Sequence, residues 1–200
     1  MNTRKVTNED LMLAVNSIRE SFERIEALLT TPKPQSTDQI AFSETAYDVI
    51  RIPGAEAPWV KEALKWEHKS EVYDEDELKA FLGFNPNGHD DDGLPWCAGF
   101  LKAVLKECGL DTPKLDNRAI SFADYGVDCQ KANGEIPDGA ILVFDAKKDS
   151  KYKISHVGIK IGDKLFGGNQ GDSAKYSNLQ WYLDNAELIA ARCPHHYQLT

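Results

Sequence analysis

Near the start of the 200-residue chain, apolar side chains recur at spacings of three and four residues. Thr7 is a candidate N-cap for this segment, and charged residues fill many of the other positions, as on a helix with one solvated face. The apolar positions are Leu11, Val15, Ile18, Phe22, Ile25 and Leu29. The pattern predicts one amphipathic helix within residues 1–31. Three roles are open for such a helix: packing on the neighbouring domain, docking on a partner and self-association.

The pattern from residue 46 to residue 200 is that of a folded domain, preceded by a polar, proline-containing linker at 32–45. One helix is predicted to begin near Pro58 with Trp59 facing the core, and another at the acidic run 74–77. Apolar runs predict strands at 140–145, 156–162, 164–168 and 173–177. We therefore expect an α+β domain in which an antiparallel sheet packs against helices.

Composition narrows the possible functions. The chain is 42% hydrophobic and 10% aromatic, enough for one good core in the domain at 46–200. Its formal net charge is −9 and its basic residues form no run, which argues against nucleic-acid binding. No apolar run is long enough to cross a bilayer, and the first residues lack the apolar core of a signal peptide. We expect synthesis in the cytoplasm without membrane insertion.

Cys97 is the candidate nucleophile. Gly93 and Pro95 interrupt the chain just before an apolar-periodic run that includes Phe100 and Leu101, so the cysteine falls in the first turn of a predicted helix. A thiol attacks an acyl carbon well only as a thiolate. Unpaired N–H groups and the helix dipole favour negative charge at this position. The pattern therefore predicts a reactive cysteine.

His156 is the candidate base, because it opens the alternating run Val157, Ile159, Ile161, which is typical of a strand. We expect this histidine to hold Cys97 as a thiolate and later to protonate the leaving group. Asn169, just after the next strand-like stretch, is placed in sequence order to orient the imidazole, with Gln170 as second choice. Cysteine, histidine and asparagine in this order are typical of papain-like hydrolases.

The remaining cysteines and histidines are weaker candidates. Cys108, Cys129 and Cys193 show no Cys-x-x-Cys spacing, so neither a zinc site nor a redox motif is indicated. Cys129 is a rival nucleophile without a predicted helix start beside it. His89 is a rival base that is close to Cys97 in sequence, and it would have to fold back sharply to reach the thiol. His68, His195 and His196 are expected to be surface side chains.

The acidic loop before Cys97 allows two interpretations. Asp90, Asp91 and Asp92 precede a glycine, which favours a turn and helix cap, although three carboxylates also suit a calcium site. Asp92 is in addition a candidate for substrate binding, as is Gln170. Trp96 either walls the cleft and touches substrate or belongs to the core. No organic cofactor is expected.

A resemblance to a known family follows from seven short blocks that occur in a fixed order between Ala57 and Pro194. They are Pro58-Trp59, Pro95-Trp96-Cys97-Ala98, Ala119-x-Ser121-Phe122, Tyr125-Gly126, Pro137-Asp138-Gly139-Ala140-Ile141-Leu142-Val143-Phe144, His156-Val157-Gly158 and Gly167-Gly168-Asn169-Gln170-x-Asp172. The longest block, at 137–144, combines a turn and a strand. This stretch resembles the papain-like peptidoglycan hydrolases of the NlpC and CHAP superfamily, and more narrowly a phage and prophage lysin subfamily. One departure is Asp138-Gly139-Ala140, where the family commonly has Gly-Asp before the strand.

The resemblance implies a papain-like fold and a cysteine peptidase or amidase that cleaves an amide bond of peptidoglycan. The bond is either the one between muramic acid and L-alanine or one within the stem peptide. Such an enzyme would act on the cell wall after release or delivery from the cytoplasm. Two other functions stay open, a non-catalytic protein that binds the wall or assembles a virion, and a cysteine hydrolase or toxin effector with another amide substrate.

Overall fold

The four predicted strand segments form one end of a six-stranded antiparallel sheet. The computed structural model describes residues 49–86, 95–114 and 116–200. The predicted helix at 1–31 and the linker at 32–45 lie outside these residues, so both stay predictions. The strands are β1 (Ile50–Ile52), β2 (Val127–Asp128), β3 (Ile141–Ala146), β4 (His156–Ile161), β5 (Lys164–Gly167), β6 (Lys175–Asn178), β7 (Ala186–Cys193) and β8 (Tyr197–Leu199).

Strand order in the large sheet is β2-β7-β3-β4-β5-β6, and β1 pairs with β8 in a separate parallel pair. Strand β3 is central and its residues 141–144 are fully buried, which explains a continuous apolar run in place of an alternating one. Across the β3–β4 pair, Phe144 lies opposite His156. Across the β4–β5 pair, Ile159 lies opposite Phe166. This register brings the first residue of β4 to the edge of the core.

The helices predicted to begin near Pro58, at the acidic run 74–77 and near Cys97 are confirmed at these starts, whereas the helix at Leu179–Asn185 was not predicted. Pro58 lies at the start of its helix, and an acidic first turn from Glu75 complements the dipole of the next helix, which ends at Gly83 with φ 78°. The helices are α1 (Pro58–Leu64), α2 (Glu75–Leu82), α3 (Cys97–Glu107) and α4 (Leu179–Asn185), with 3-10 turns at Gly54–Glu56 and Ala119–Phe122. Trp59 is fully buried, as predicted, and its indole donates to the carbonyl of Gly139 at 2.8 Å.

Helix α3 links the hydrophobic core to the candidate site. It packs against β4 and β5, and its first five residues are all buried. Phe100 contacts the rings of Phe81, Trp96 and Phe166 at centroid distances of 6.0, 6.1 and 6.3 Å. Burial of each such side chain contributes about 2 kcal/mol to stability, so the start of α3 is firmly anchored.

The predicted fold class, α+β with an antiparallel sheet packed against helices, is confirmed. The sequence missed strand β7, which pairs with β3 from Ile141 to Ala146 and therefore lies between β3 and the edge strand β2. It also missed β1, β2 and β8. Among the helices of the described residues, none combines the length and the apolar character needed to cross a membrane.

Candidate active site

Cys97 is the first residue of helix α3, as the sequence predicts. Trp96 is the N-cap residue, and its side chain makes no capping hydrogen bond. The first N–H groups of a helix have no partner within it and carry partial positive charge. Those of Cys97 and Ala98 are hydrogen-bonded to the Cys97 sulfur, and each lowers the pKa of the thiol. The helix start is therefore arranged around the thiol.

Buried contacts hold this helix start in place. Trp96 is fully buried, and its indole N–H donates to the carboxylate of Glu71, which is itself buried. On the other side lies Gly168, where an added Cβ would be only 2.5 Å from the Trp96 ring. Trp96 thus occupies the core beneath Cys97, one of the two positions that the sequence allowed. Its contact with a substrate stays a prediction.

His156 is the first residue of β4 and is 7% exposed. Its Nε2 atom is buried and has no hydrogen-bond partner among the described residues. Leaving a buried polar atom unpaired costs about 1–3 kcal/mol, and such atoms in native proteins are often functional. The nitrogen is therefore available to accept a proton.

The packing of α3 on β4 brings the thiol to the backbone beside His156. The backbone N–H of Val157, the residue after His156, is hydrogen-bonded to the sulfur of Cys97 and lowers the pKa of the thiol. Because adjacent residues share a peptide unit, the thiol lies beside the backbone of the histidine as well. A helix start and a strand start thus meet at one point, as the sequence order of the two residues predicts.

Burial dominates the electrostatics of the pair. It raises the pKa of the Cys97 thiol in spite of the three N–H groups that favour the thiolate. Burial also lowers the pKa of His156 to about 4. Both groups are therefore neutral at pH 7, which differs from the thiolate that we expected from the sequence. A neutral imidazole can still take the thiol proton as the sulfur attacks.

Asn169 lies just beyond β5, half-buried and with φ 53°. Ile159 on β4 lies opposite Phe166 on β5 in an antiparallel pair. His156 is three residues before Ile159, and Asn169 is three residues after Phe166. Both residues therefore lie towards the same end of the strand pair. The Nε2 atom of the histidine is unpaired among the described residues, so Asn169 does not hold that nitrogen. The orienting role of Asn169 stays a prediction.

Gln170 is buried and stabilises the loop after β5. Its Nε2 donates to the carbonyl of Leu165 at 3.2 Å, and its backbone N–H donates to Ser173 at 3.0 Å. Its Oε1 atom is buried without a partner among the described residues. These contacts give the side chain a structural role, and its predicted roles in substrate binding and imidazole orientation stay predictions.

A groove of about 790 Å³ lies beside the thiol. It is lined by Pro95, Cys97, Asp116, Asn117, Arg118, Ala119, Ile120, Asp145 and Ser155. Arg118 and Asp116 form an exposed ion pair at 2.7 Å. Because exposed ion pairs contribute little to stability, contacts with a ligand can replace this one at little cost in free energy. The groove thus reaches the thiol and Ser155, the residue before the histidine, whereas His156 is not among its lining residues. Its mixture of apolar and charged groups suits a short peptide that carries charges of both signs.

Tyr182 is the contact of His156 that the sequence analysis missed. The two rings are stacked with centroids 5.2 Å apart and an interplanar angle of 20°. Tyr182 lies on α4, which begins at Asn178, whose side chain accepts the N–H of Trp181 at 3.0 Å. The N-cap asparagine before an aromatic run was the available sequence signal for this helix.

Cys129 lies in a different part of the sheet. Its thiol is hydrogen-bonded to Cys193, which together with burial raises the pKa of Cys129. The Cys193 thiol in turn donates to the carbonyl of Tyr197 at 3.1 Å. Cys129 thus packs in a thiol pair at the β2–β7 edge, whereas Cys97 lies beside the start of β4.

The acidic loop and one rival base lie outside the described residues. Asp90, Asp91, Asp92 and His89 belong to this group, so the calcium site, the substrate role of Asp92 and the rival base stay predictions. Within residues 49–86, 95–114 and 116–200, no group of three or more histidine, cysteine or carboxylate side chains is arranged to hold a metal ion.

Neither protein-family models nor curated protein sequences match the chain. Among solved structures it is similar to NlpC1 from Trichomonas vaginalis, at 16% identity and TM-score 0.39, over 64% of this chain and 46% of that one. NlpC2 from the same organism has 16% identity and TM-score 0.38, over 52% and 37%. A protein similar to lipoprotein, of the NLP/P60 family, from Staphylococcus aureus has 19% identity and TM-score 0.41, over 86% and 47%.

The chain spans less than half the length of each of these three structures. All three are named as NlpC or NLP/P60 proteins, whereas the lysin subfamily is not represented among them. At such low identities and TM-scores, membership of the NlpC and CHAP superfamily remains a prediction from the sequence blocks. Function has to be argued from the site itself.

Proposed function

We propose that the chain is a cysteine hydrolase that cleaves an amide bond of bacterial peptidoglycan. One observation carries the proposal: the Cys97 thiol lies at a helix start, accepts the N–H of Val157, the residue after His156, and lines a groove. The seven family-like sequence blocks support peptidoglycan as the substrate class. The groove supports a short peptide with charges of both signs, and peptidoglycan stems carry free carboxyl and amino groups.

The chemistry starts from the neutral pair. His156 takes the thiol proton as the sulfur of Cys97 attacks the amide carbon, and the resulting imidazolium then protonates the leaving amine. The N–H groups of Cys97 and Ala98 are placed to stabilise the tetrahedral oxyanion. Water, activated by the same imidazole, hydrolyses the thioester and regenerates the thiol. None of these steps requires a metal or an organic cofactor.

The proposal is tested by digestion of purified peptidoglycan. We expect the intact chain to release soluble fragments, and we expect His156→Ala to release none while keeping its fold by circular dichroism. The masses of the products name the bond, because an amidase frees intact stem peptides and an endopeptidase divides them. Absence of fragments from both Gram-positive and Gram-negative walls would contradict the proposal.

A binding or assembly protein without turnover is the second candidate. The observation that favours it is the buried, neutral state of Cys97 and His156, since many cysteine hydrolases keep a charged pair. Co-sedimentation with peptidoglycan separates the two, because a binding protein would pellet with walls whose composition stays unchanged. A hydrolase with another amide substrate would neither pellet nor release fragments.

The helix predicted at 1–31 belongs to this proposal as a docking or self-association element. Delivery to the wall requires a release or secretion route, and an exposed amphipathic helix is suited to engage such a partner. Light scattering of the full chain and of a version that begins at Ala41 measures the contribution of this segment. An unchanged oligomeric state on truncation would exclude self-association and leave docking on a partner or packing on the domain as the remaining roles.

A further inference from the structure

The imidazole of His156 is held by an aromatic ring. Tyr182 stacks on it with centroids 5.2 Å apart and planes at 20°. His156 also lies opposite Phe144 in the β3–β4 pair, and the Phe144 ring contacts Tyr182 at 5.3 Å. The histidine ring is thus fixed by the strand beside it and by the ring from α4.

Tyr182 is itself fixed on several sides. Trp181 contacts it edge-on at 5.2 Å and 89°, and its hydroxyl is hydrogen-bonded to the side chain of Ser177. The side chain of Asn178 caps the helix that carries both aromatic residues. A ring held by a cap, a hydroxyl partner and two aromatic neighbours has little freedom, so it can transmit a defined orientation to the imidazole.

Electrostatics also link Tyr182 to the nucleophile. Burial first, and then the sulfur of Cys97, raise the pKa of Tyr182 to about 12. Asn169, in contrast, makes no hydrogen bond with the buried Nε2 of His156 in the described part of the chain.

We propose that Tyr182 is a positioning residue for His156, which it holds in plane for proton transfer from Cys97 by stacking. This inference rests on the proposed hydrolase function. The flat ring carries the effect, whereas the hydroxyl serves to anchor the ring through Ser177. Replacement of the ring should therefore weaken the chemical step without weakening substrate binding, because Tyr182 is not among the residues that line the groove beside Cys97.

The test compares Tyr182→Leu, which removes the flat ring, with Tyr182→Phe, which keeps it. In peptidoglycan hydrolysis by the full chain, we expect Tyr182→Leu to lower kcat about tenfold or more, with KM within about twofold. We expect the kcat of Tyr182→Phe to stay within about threefold of that of the unaltered chain. Tyr152→Leu is the matched control, because that exposed ring contacts Trp181 at 5.5 Å.

A second readout does not depend on the substrate. In an NMR titration, Tyr182→Leu admits water to one face of the imidazole, so the pKa of His156 should rise from about 4 towards its ordinary value. Tyr182→Phe should leave it low. The other titratable groups on neighbouring elements, Cys97 on α3 and Asp145 on β3, are the same in all variants.

Three results would overturn the inference: an unchanged kcat in Tyr182→Leu, an unchanged pKa of His156 in that variant, or an equal loss in Tyr182→Phe. If the unaltered chain releases no fragments from peptidoglycan, the proposed function fails, and the titration alone then decides whether the ring holds the imidazole. If Tyr182→Leu does not fold, Tyr182→Met keeps most of the side-chain volume without a flat ring and replaces it in both measurements.

Discussion

The domain contains two buried thiol environments that differ in their neighbours. Cys97 begins helix α3, accepts the N–H of Val157 and lies beside the start of β4. Cys129 and Cys193 lie at the β2–β7 edge, where the two thiols are hydrogen-bonded to each other. Burial raises the pKa of the Cys97 thiol, and the hydrogen bond with Cys193 together with burial raises that of Cys129, so a raised pKa alone does not distinguish a nucleophile.

The difference lies in the groups that can take a proton and stabilise a developing charge. At Cys97 three backbone N–H groups converge on the sulfur, and a neutral imidazole with an unpaired nitrogen stands nearby. At Cys129 the hydrogen-bonding partner is a second thiol, which is a weak acceptor and a weak donor. A reactive cysteine is therefore defined by its base and its oxyanion donors.

Removal of the Cys97 thiol and removal of the Cys129 thiol should affect activity to very different extents. We expect Cys97→Ala to lower peptidoglycan hydrolysis by about a thousandfold or more, because it removes the attacking atom. Cys129→Ala should stay within about threefold, because it lies away from the groove beside β4. Turbidity loss and product masses measure both variants, with circular dichroism as the control for folding. Equal activity of the two variants would remove the distinction between the sites.

The pH dependence of stability should reflect the titration of the buried His156 imidazole. Its pKa is about 4 in the folded state and about 6.5 when unfolded, so the unfolded chain binds more protons between these values. Stability should therefore fall as the pH is lowered from about 6.5 to 4, by about 3 kcal/mol from this group.

Urea unfolding at pH 7 and at pH 4 measures this effect. His156→Gln should show a smaller loss of stability between the two pH values, by about 3 kcal/mol, because glutamine does not titrate. Cys129→Ala serves as the control and should keep the full loss. The same pH dependence in His156→Gln as in the unaltered chain would mean that the imidazole is not buried in its neutral form.

Local patterns were sufficient to predict the elements that carry the site. The apolar alternation after His156 and the chain breaks before Cys97 placed the base on a strand and the thiol at a helix start. Strand β7 was missed because its burial alternates irregularly where its register with β3 shifts between Val143 and Phe144. Strands β1, β2 and β8 have only two or three residues each, too few for a pattern.

The site itself was predicted only in part, for physical reasons. Sequence order placed Cys97 and His156, but the degree of burial that makes both groups neutral depends on tertiary packing. Tyr182 reaches His156 from a later helix, so neither spacing nor order indicated the contact. Trp96 was ambiguous because its indole N–H suits a cleft or a buried carboxylate, and the partner, Glu71, is distant in sequence.

Close packing behind Cys97 should make the loop after β5 sensitive to a single methyl group. In Gly168→Ala the new Cβ would lie 2.5 Å from the Trp96 ring and 2.7 Å from Cβ of Phe100, both at the start of α3. We expect a loss of about 2 kcal/mol in stability, together with reduced activity as the thiol shifts.

The matched control is Gly134→Ala, where nothing lies within 4 Å of the added Cβ. The backbone there has φ 83°, so alanine costs about 1 kcal/mol through strain alone, and activity should be unchanged. Urea unfolding and hydrolysis of peptidoglycan measure both variants. A smaller loss of stability in Gly168→Ala than in the control would show that the Trp96 side of the site is loosely packed.

Asn169→Gly should have a much smaller effect on activity than removal of Cys97 or His156. Glycine tolerates the φ of 53° at this position, so the loop should keep its conformation. Because Asn169 does not bond the buried Nε2 of His156 among the described residues, we expect kcat to fall by less than about tenfold, the loss of roughly one hydrogen bond. A loss as large as that of His156→Ala would instead assign the orientation of the imidazole to the asparagine, in the complex with substrate, and would reduce Tyr182 to a packing residue.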